Sequence, residues 1–111
     1  MELQSKKYLD DILYAITLIE EFLAGINSFA DYEKDIKTKS AVERQLGIIG
    51  EAVNKYDKIN PVESIENTLQ IIGFRNRIIH AYDSIDNSVI WAIIKNHLPN
   101  LKAEVQHKLA L

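Results

Sequence analysis

The chain has 111 residues, which is enough for one domain with a sizeable core and too few for two. Its hydrophobic fraction of 47% and charged fraction of 26% are ordinary for a globular protein, and its net charge of −3 argues against a broadly basic nucleic-acid binder. The absence of cysteine excludes disulfides and zinc–thiolate sites, and no apolar run has the length of a signal peptide or a membrane span. We therefore expect a single cytoplasmic domain over residues 1–111.

Apolar residues recur three and four positions apart along the chain, which is the period of a helix. The first helix is predicted from Ser5 to about Leu23, with Gly25 as its stop signal. Ser28 is predicted to cap a short helical turn over residues 29–33. The side chains expected in the core from these segments are Leu9, Ile12, Leu13, Ile16, Ile19, Phe22, Leu23, Phe29 and Tyr32.

The second long helix is predicted to continue to about Lys58. A capping box could begin it at Ser40, and a start nearer Asp35 is equally plausible. Gly47 and Gly50 inside this helix cost roughly 1 kcal/mol each relative to alanine, which indicates close approach by a neighbour. That neighbour could belong to the same chain or to a second copy, and both interpretations remain open. The inward-facing residues are predicted to be Val42, Leu46, Ile49, Ala52, Val53 and Tyr56.

Asn60-Pro61 breaks the chain, and Ser64 is predicted to cap a third helix that runs from Ile65 to His80 or Tyr82. A tight reversal over residues 83–86 should make the third and fourth helices antiparallel neighbours. Gly73, like the two glycines of the second long helix, would permit a close contact.

The fourth helix is predicted to be capped by Asp86 or Ser88, and Pro99 either kinks it or starts a fifth helix in its first turn. Four long helices with short connections predict an all-α fold. The expected architecture is an up-and-down four-helix bundle, with a short extra helix and a last helix that is kinked or split.

The stretch from Phe74 to Tyr82 places an arginine, an amide, an imidazole and a phenol within about two helical turns. Arginine offers a planar, permanently charged fork for phosphate oxygens, and histidine can move a proton near neutral pH. These groups suit cleavage of RNA by the ribose 2′-hydroxyl without a metal. His80 would take or deliver the proton, and Arg75 would stabilise the charge that develops on the phosphorane.

A purely structural interpretation of the same residues is also available. His80 near a helix C-terminus gains from the helix dipole when it is protonated. Arg75 or Arg77 could pair with Asp83, with Asp86 or with a glutamate on another helix. On spacing alone, the structural interpretation is the more frequent one.

Arg75-Asn76-Arg77-Ile78-Ile79-His80-Ala81-Tyr82 resembles the R-N-x-x-x-H-x-Y motif of HEPN domains, and the chain is similar in detail to the HepT-like branch. The region of residues 60–65 departs from many relatives because it has no tryptophan. The resemblance covers nearly the whole chain, since four further blocks match in order. They are Tyr8–Leu13 with the Ile-Glu-Glu-Phe-Leu segment after it, Leu46–Ala52, Ile72–Phe74, and Val89–Trp91 with Leu98–Leu101.

The resemblance implies an all-helical homodimer whose two motifs face each other at the interface. It implies a metal-independent endoribonuclease that acts as the toxin of a type VII HEPN/MNT toxin–antitoxin pair, with RNA such as tRNA or mRNA as substrate. The antitoxin would be an MntA-like minimal nucleotidyltransferase that adds AMP to the motif tyrosine, which is Tyr82 in this sequence. By position, Arg75 and His80 carry over as catalytic residues and Asn76 as the polar neighbour that supports them.

Two other hypotheses belong to different classes. One is a non-catalytic helical module that binds a nucleotidyltransferase, and the other is a plain dimeric bundle with no site. No metal or cofactor is expected, because His80, His97 and His107 lack ligand spacing with the carboxylates. Glu51 and Asp83 could orient His80, but plain surface charge is the preferred interpretation.

Overall fold

In the computed structural model, residues 2–67, 70–71, 73 and 86–111 are described. These residues form five helices and no strand, which confirms the predicted all-α fold. None of the described helices is both long enough and apolar enough to cross a membrane. The helices are α1 (Leu3–Phe22), α2 (Phe29–Lys34), α3 (Ile36–Ile59), α4 (Asn87–Asn96) and α5 (Leu98–Ala110).

The core lies between α1, α3 and α5. Helix α1 packs along α3 and against α5, while α2 contacts α3 and α4, and α4 also contacts α5. The apolar side chains predicted to face inward from α3 are all buried, as is Ile65 from the loop that follows α3. The buried apolar residues are Leu9, Ile12, Ala15, Ile16, Ile19, Tyr32, Val42, Leu46, Ile49, Ala52, Val53, Tyr56, Ile65, Ile90, Ile94, Leu98, Leu101 and Val105.

Local caps set the limits of the first three helices. Gly25 follows the end of α1 and has φ +86°. Glycine adopts this left-handed conformation at little cost because it has no Cβ, and the conformation ends the helix. Ser28 Oγ accepts a hydrogen bond from the backbone N–H of Asp31, 3.2 Å away, which confirms the predicted cap of α2. Asp35 Oδ1 accepts from the N–H of Thr38 at 3.0 Å. Helix α3 therefore begins at Ile36, so the alternative start at Ser40 is wrong.

The two glycines of α3 differ in how closely other parts of the chain approach them. A Cβ added at Gly47 would meet no atom within 4 Å among the described residues, and the same holds for Gly73. Gly50, in contrast, is buried. Close packing within the monomer thus does not explain Gly47 in the part of the chain that the structure describes.

The last predicted helix is split. Asp86 Oδ1 accepts from the N–H and the hydroxyl of Ser88, at 2.8 and 2.7 Å, and caps α4. The chain turns at His97, and Pro99 occupies the second position of α5, where its missing N–H removes no helical bond. Of the two predicted outcomes at Pro99, the structure shows the new helix.

The predicted start of the third helix at Ile65 is wrong. Ser64 and Ile65 are non-helical, Glu66 and Asn67 form a turn, and Asn67 has φ +62°. The first helical hydrogen bond described after this turn runs from the N–H of Ile71 to the carbonyl of Asn67, at 3.0 Å. The predicted end of this helix and the reversal after it lie outside the described residues.

Candidate functional site

The four predicted site residues lie outside the part of the chain that the structure describes. Arg75, Asn76, His80 and Tyr82 therefore keep their roles as predictions. The structure does describe how the chain is held on both sides of the motif. These contacts fix the described residues before and after the motif to the helices of the core.

On the N-terminal side, two carboxylates hold consecutive backbone amides. Asp57 Oδ1, from α3, accepts from the N–H of Ile65 at 3.0 Å. The carboxylate of Glu104, from α5, accepts from the N–H of Glu66 at 3.1 and 3.3 Å. Hydrogen bonds to ionised acceptors are stronger than those to neutral acceptors. Because the two carboxylates belong to different helices, this turn is fixed to both.

Lys108 makes a third contact with the same turn. Its Nζ donates to the carbonyl of Glu63 at 3.0 Å, lies 4.0 Å from the Glu104 carboxylate and sits 5.8 Å from the centre of the Tyr56 ring. The side chain of Lys108 is 15% exposed and that of Glu104 is 26% exposed, so both charges are partly withdrawn from water. Partial burial reduces solvent screening and strengthens their contacts with the turn.

The loop is also fixed to the start of the chain. Asn60 Nδ2 donates to the buried hydroxyl of Ser5 at 2.8 Å and to the carbonyl of Tyr56 at 3.0 Å. The N–H of Glu63 then donates to the carbonyl of Asn60 at 3.2 Å. The loop without tryptophan is thus held by hydrogen bonds and by the buried side chain of Ile65.

On the C-terminal side, the cap of α4 marks where the chain rejoins the described bundle. The bonds that Asp86 accepts from the hydroxyl and the N–H of Ser88 hold the pKa of its carboxyl below the ordinary value. Asp86 therefore stays ionised at the positive end of a helix, where a negative charge is stabilising.

The residues that hold the 63–66 turn could not be identified from the sequence. Glu104 and Glu66 are 38 residues apart, and Lys108 and Glu63 are 45 residues apart. No local pattern connects residues at such separations. The only signal in the sequence is the placement of a glutamate and a lysine four apart on one face of α5.

The remaining charged candidates behave as surface groups. Glu51 is exposed and pairs with Lys55 at 3.1 Å, as expected of plain surface charge, while Asp83 lies outside the described residues. His97 and His107 are exposed. Among the residues whose structure is described, no group of three or more histidines, cysteines or carboxylates could hold a metal ion.

Two groups with perturbed pKa values lie where α2 packs against α3. Burial raises the pKa of the Tyr32 phenol and of the Glu43 carboxyl. The Tyr32 ring lies 5.3 Å from that of Trp91, whose other contacts include the Lys95 ammonium at 4.6 Å. Perturbed pKa values can mark active sites. Here Tyr32 is fully buried against an aromatic neighbour, so the cluster is better explained as core packing.

Comparison with known proteins gives a family match over most of the chain. Residues 12–107 match a family model described as "Ribonuclease HepT-like". The chain is 38% identical over 110 residues to the "Probable ribonuclease HepT" of Thermococcus cleftensis, covering 96% of each chain. No solved structure matches the chain.

Two further relatives are described as candidate RNases. The first, from Caldanaerobacter subterraneus subsp. tengcongensis, is 34% identical over 105 residues, which cover 94% of this chain and 93% of the relative. The second, from Methanocaldococcus jannaschii, is 37% identical over 106 residues, which cover 91% of this chain and 93% of the relative. The similarity therefore extends over nearly the full length of each protein.

Proposed function

The chain belongs to the HepT-like ribonuclease family, and we propose from this premise that it is a metal-independent endoribonuclease. The observation that carries the proposal is the family match over residues 12–107, a range that contains the complete Arg75–Tyr82 motif. The substrate class is RNA, with tRNA and mRNA as the candidates. Arg75 and His80 perform the chemistry, and Asn76 supports them.

The reaction follows from the chemistry of these groups. The ribose 2′-hydroxyl attacks the adjacent phosphorus, a P–O2′ bond forms, and the P–O5′ bond breaks to leave a cyclic phosphate and a 5′-hydroxyl. The imidazole of His80 accepts the proton of the nucleophile or supplies the proton of the leaving oxygen, and water supplies or takes the other proton. The guanidinium of Arg75 stabilises the negative charge that accumulates on the phosphorane.

The proposal extends to assembly and control. The protein acts in the cytoplasm as a homodimer with the two motifs at the interface, and it is the toxin of a type VII HEPN/MNT pair. Its partner is an MntA-like minimal nucleotidyltransferase that transfers AMP to the Tyr82 hydroxyl.

The test of the nuclease is cleavage of total RNA by purified protein in the presence of EDTA. We expect cleavage to persist in EDTA and to fall by about a hundredfold or more in Arg75→Ala and in His80→Ala, with a smaller loss in Asn76→Ala. A matched control is His97→Asn, which removes an exposed imidazole between α4 and α5 and retains a residue suited to a helix end.

The outcomes separate the two classes of function. Cleavage that requires a metal, or that survives in both variants, would contradict the proposed chemistry. Equal inactivity of the wild type and the variants, together with a tight complex with a nucleotidyltransferase, would replace the nuclease with a non-catalytic binding module.

Control by AMP transfer is tested by mass spectrometry after coexpression with the nucleotidyltransferase. We expect one or more AMP groups on Tyr82 and none on the Tyr82→Phe variant. Tyr14 is the natural control, because its side chain is 66% exposed and its phenol is accessible without being part of the motif. Modification of Tyr14, or no AMP on Tyr82, would contradict this mode of neutralisation.

A further inference from the structure

Glu104 and Lys108 of α5 contact the turn that precedes the motif, and we call this pair with its contacts to Glu63 and Glu66 the α5 clasp. We propose that Glu104 is a positioning residue for the ribonuclease reaction, acting on Arg75 and His80 through the backbone of the segment that it holds. This inference rests on the proposed function, since it concerns the same reaction. Glu104 is not assigned any contact with RNA.

The clasp holds the chain in a conformation that local sequence does not favour. Ser64 and Ile65 are non-helical, although a cap at Ser64 would start a helix there. Asn67 has φ +62°, a left-handed conformation that asparagine adopts more readily than other non-glycine residues but still at some cost relative to a right-handed one. Such a conformation persists when surrounding contacts fix it, and the Glu104 bond to the N–H of Glu66 is the contact next to it.

The turn precedes the described helical residues Gln70, Ile71 and Gly73. The hydrogen bond from Ile71 to the carbonyl of Asn67 begins the helical pattern, and Gln70, Ile71 and Gly73 are helical. Each residue of a helix turns about 100° around the axis. A start displaced by one residue would therefore redirect the side chains of the helical residues after it, and catalysis is sensitive to displacements of about 1 Å.

A second interhelical ion pair provides the matched comparison. Lys102, also on α5, contacts the carboxylate of Glu20 on α1 at 3.0 Å, in a more exposed position. Both glutamates join α5 to another part of the chain through a carboxylate. Glu104 contacts the turn before the motif, whereas the described contacts of Glu20 lie elsewhere.

The experiment compares wild type, Glu104→Ala, Glu104→Gln and Glu20→Ala at a temperature where circular dichroism shows each to be folded. With RNA as substrate in EDTA, we expect Glu104→Ala to lower kcat about tenfold and to change KM by less than about twofold. Glu104→Gln retains an acceptor oxygen and should recover most of the kcat. Glu20→Ala should match the wild type in both constants.

Hydrogen exchange gives a readout that does not depend on cleavage. The amides of Glu66 and Ile71 should exchange about tenfold faster in Glu104→Ala and at the wild-type rate in Glu20→Ala. A wild-type kcat in Glu104→Ala would overturn the positioning role, even if thermal stability fell. So would an equal loss of kcat in Glu104→Ala and Glu20→Ala.

Failure of the proposed function is distinguishable from failure of the clasp. If the wild-type protein cleaves no RNA, the proposed ribonuclease function is wrong. Hydrogen exchange alone then tests whether Glu104 holds the turn. Faster exchange at Glu66 and Ile71 in Glu104→Ala, with exchange close to the wild-type rate in Glu104→Gln, supports the clasp as the group that holds this turn. Unchanged exchange at these amides overturns it.

Discussion

The Tyr32 hydroxyl is a buried polar group that the described residues leave without a hydrogen-bond partner. The ring is fully buried, and the nearby Glu43 carboxylate adds to the effect of burial in raising the pKa of the phenol. A buried hydroxyl without a partner costs about 1–3 kcal/mol, while its ring still contributes apolar packing. The residue therefore combines a favourable ring with an unfavourable oxygen.

We expect Tyr32→Phe to raise the free energy of unfolding by about 1 kcal/mol, because it removes the unsatisfied oxygen and keeps the ring against Trp91. Urea denaturation followed by circular dichroism measures the change. Tyr14→Phe is the control, since its exposed side chain should give a change close to zero. A loss of stability in Tyr32→Phe would indicate that a bound water or another group satisfies the hydroxyl.

At the scale of single residues, the motif could be identified from the sequence. The contacts that fix the turn before it could not. Arg75 and His80 stand five positions apart in one stretch, so their shared chemistry is visible without a structure. Glu104 is ordinary in its local sequence. Its contact with the N–H of Glu66 arises from the packing of α5 beside the loop, which composition and periodicity do not reveal.

At the scale of helices, the sequence predicts best where both the apolar pattern and the cap are local. Helix α1 runs from Leu3 to Phe22, within two residues of the predicted limits, and α2 begins one residue after its predicted cap. The split before α5 also followed from a local signal, the proline. The third helix was misplaced at Ile65 because distant carboxylates hold the turn before it. Tertiary contacts there override the local preference for a cap.

The glycine at position 47 allows a test of what covers α3. We expect Gly47→Ala to raise the free energy of unfolding of the monomer by roughly 0.5–1 kcal/mol, since alanine is the better helix former and a Cβ there meets no described atom within 4 Å. Thermal unfolding at low protein concentration measures it. Sedimentation of the same variant tests whether Gly47 lies in the dimer interface, since self-association weaker than that of wild type would place it there. A lower free energy of unfolding without dissociation would contradict the expected free space beside Gly47.

At the scale of the whole molecule, contacts between distant parts of the chain join the helices into one unit. Asn60 binds Ser5 across 55 positions, and Lys102 binds Glu20 across 82. The apolar core supplies most of the stability of such a unit, and the polar contacts select one arrangement of the helices. Acid pH protonates the aspartates that cap the helices of this unit and so lowers its stability.

Asp35 provides the pH test. The bond from the N–H of Thr38 is the main cause that lowers the pKa of its carboxyl below the ordinary value. A group whose pKa is lower when folded stabilises the protein above its unfolded pKa, and that stabilisation is lost as the pH falls through the folded pKa. We expect the stability of wild type to fall more steeply below about pH 4 than that of Asp35→Asn, which keeps an uncharged cap.

Urea denaturation at a series of pH values measures this difference. Near neutral pH the two proteins should be of similar stability. Asp86→Asn should act in the same direction, because Ser88 lowers the pKa of that cap as well. Parallel stability curves for wild type and Asp35→Asn between pH 3 and 5, a range around the ordinary aspartate value, would contradict the prediction.

The position of the α5 clasp in the chain has a consequence during synthesis. Glu104 and Lys108 leave the ribosome after Tyr82, so every group of the motif is made before the side chains that hold the turn preceding it. Chains begin to fold from their N-terminal parts while they are being made. Under the proposed role of Glu104, a nascent or prematurely terminated chain would carry the full set of reacting groups in a poorly held segment. Full nuclease activity would then develop only after α5 has emerged and docked, which would delay the fastest RNA cleavage until synthesis of this region is finished.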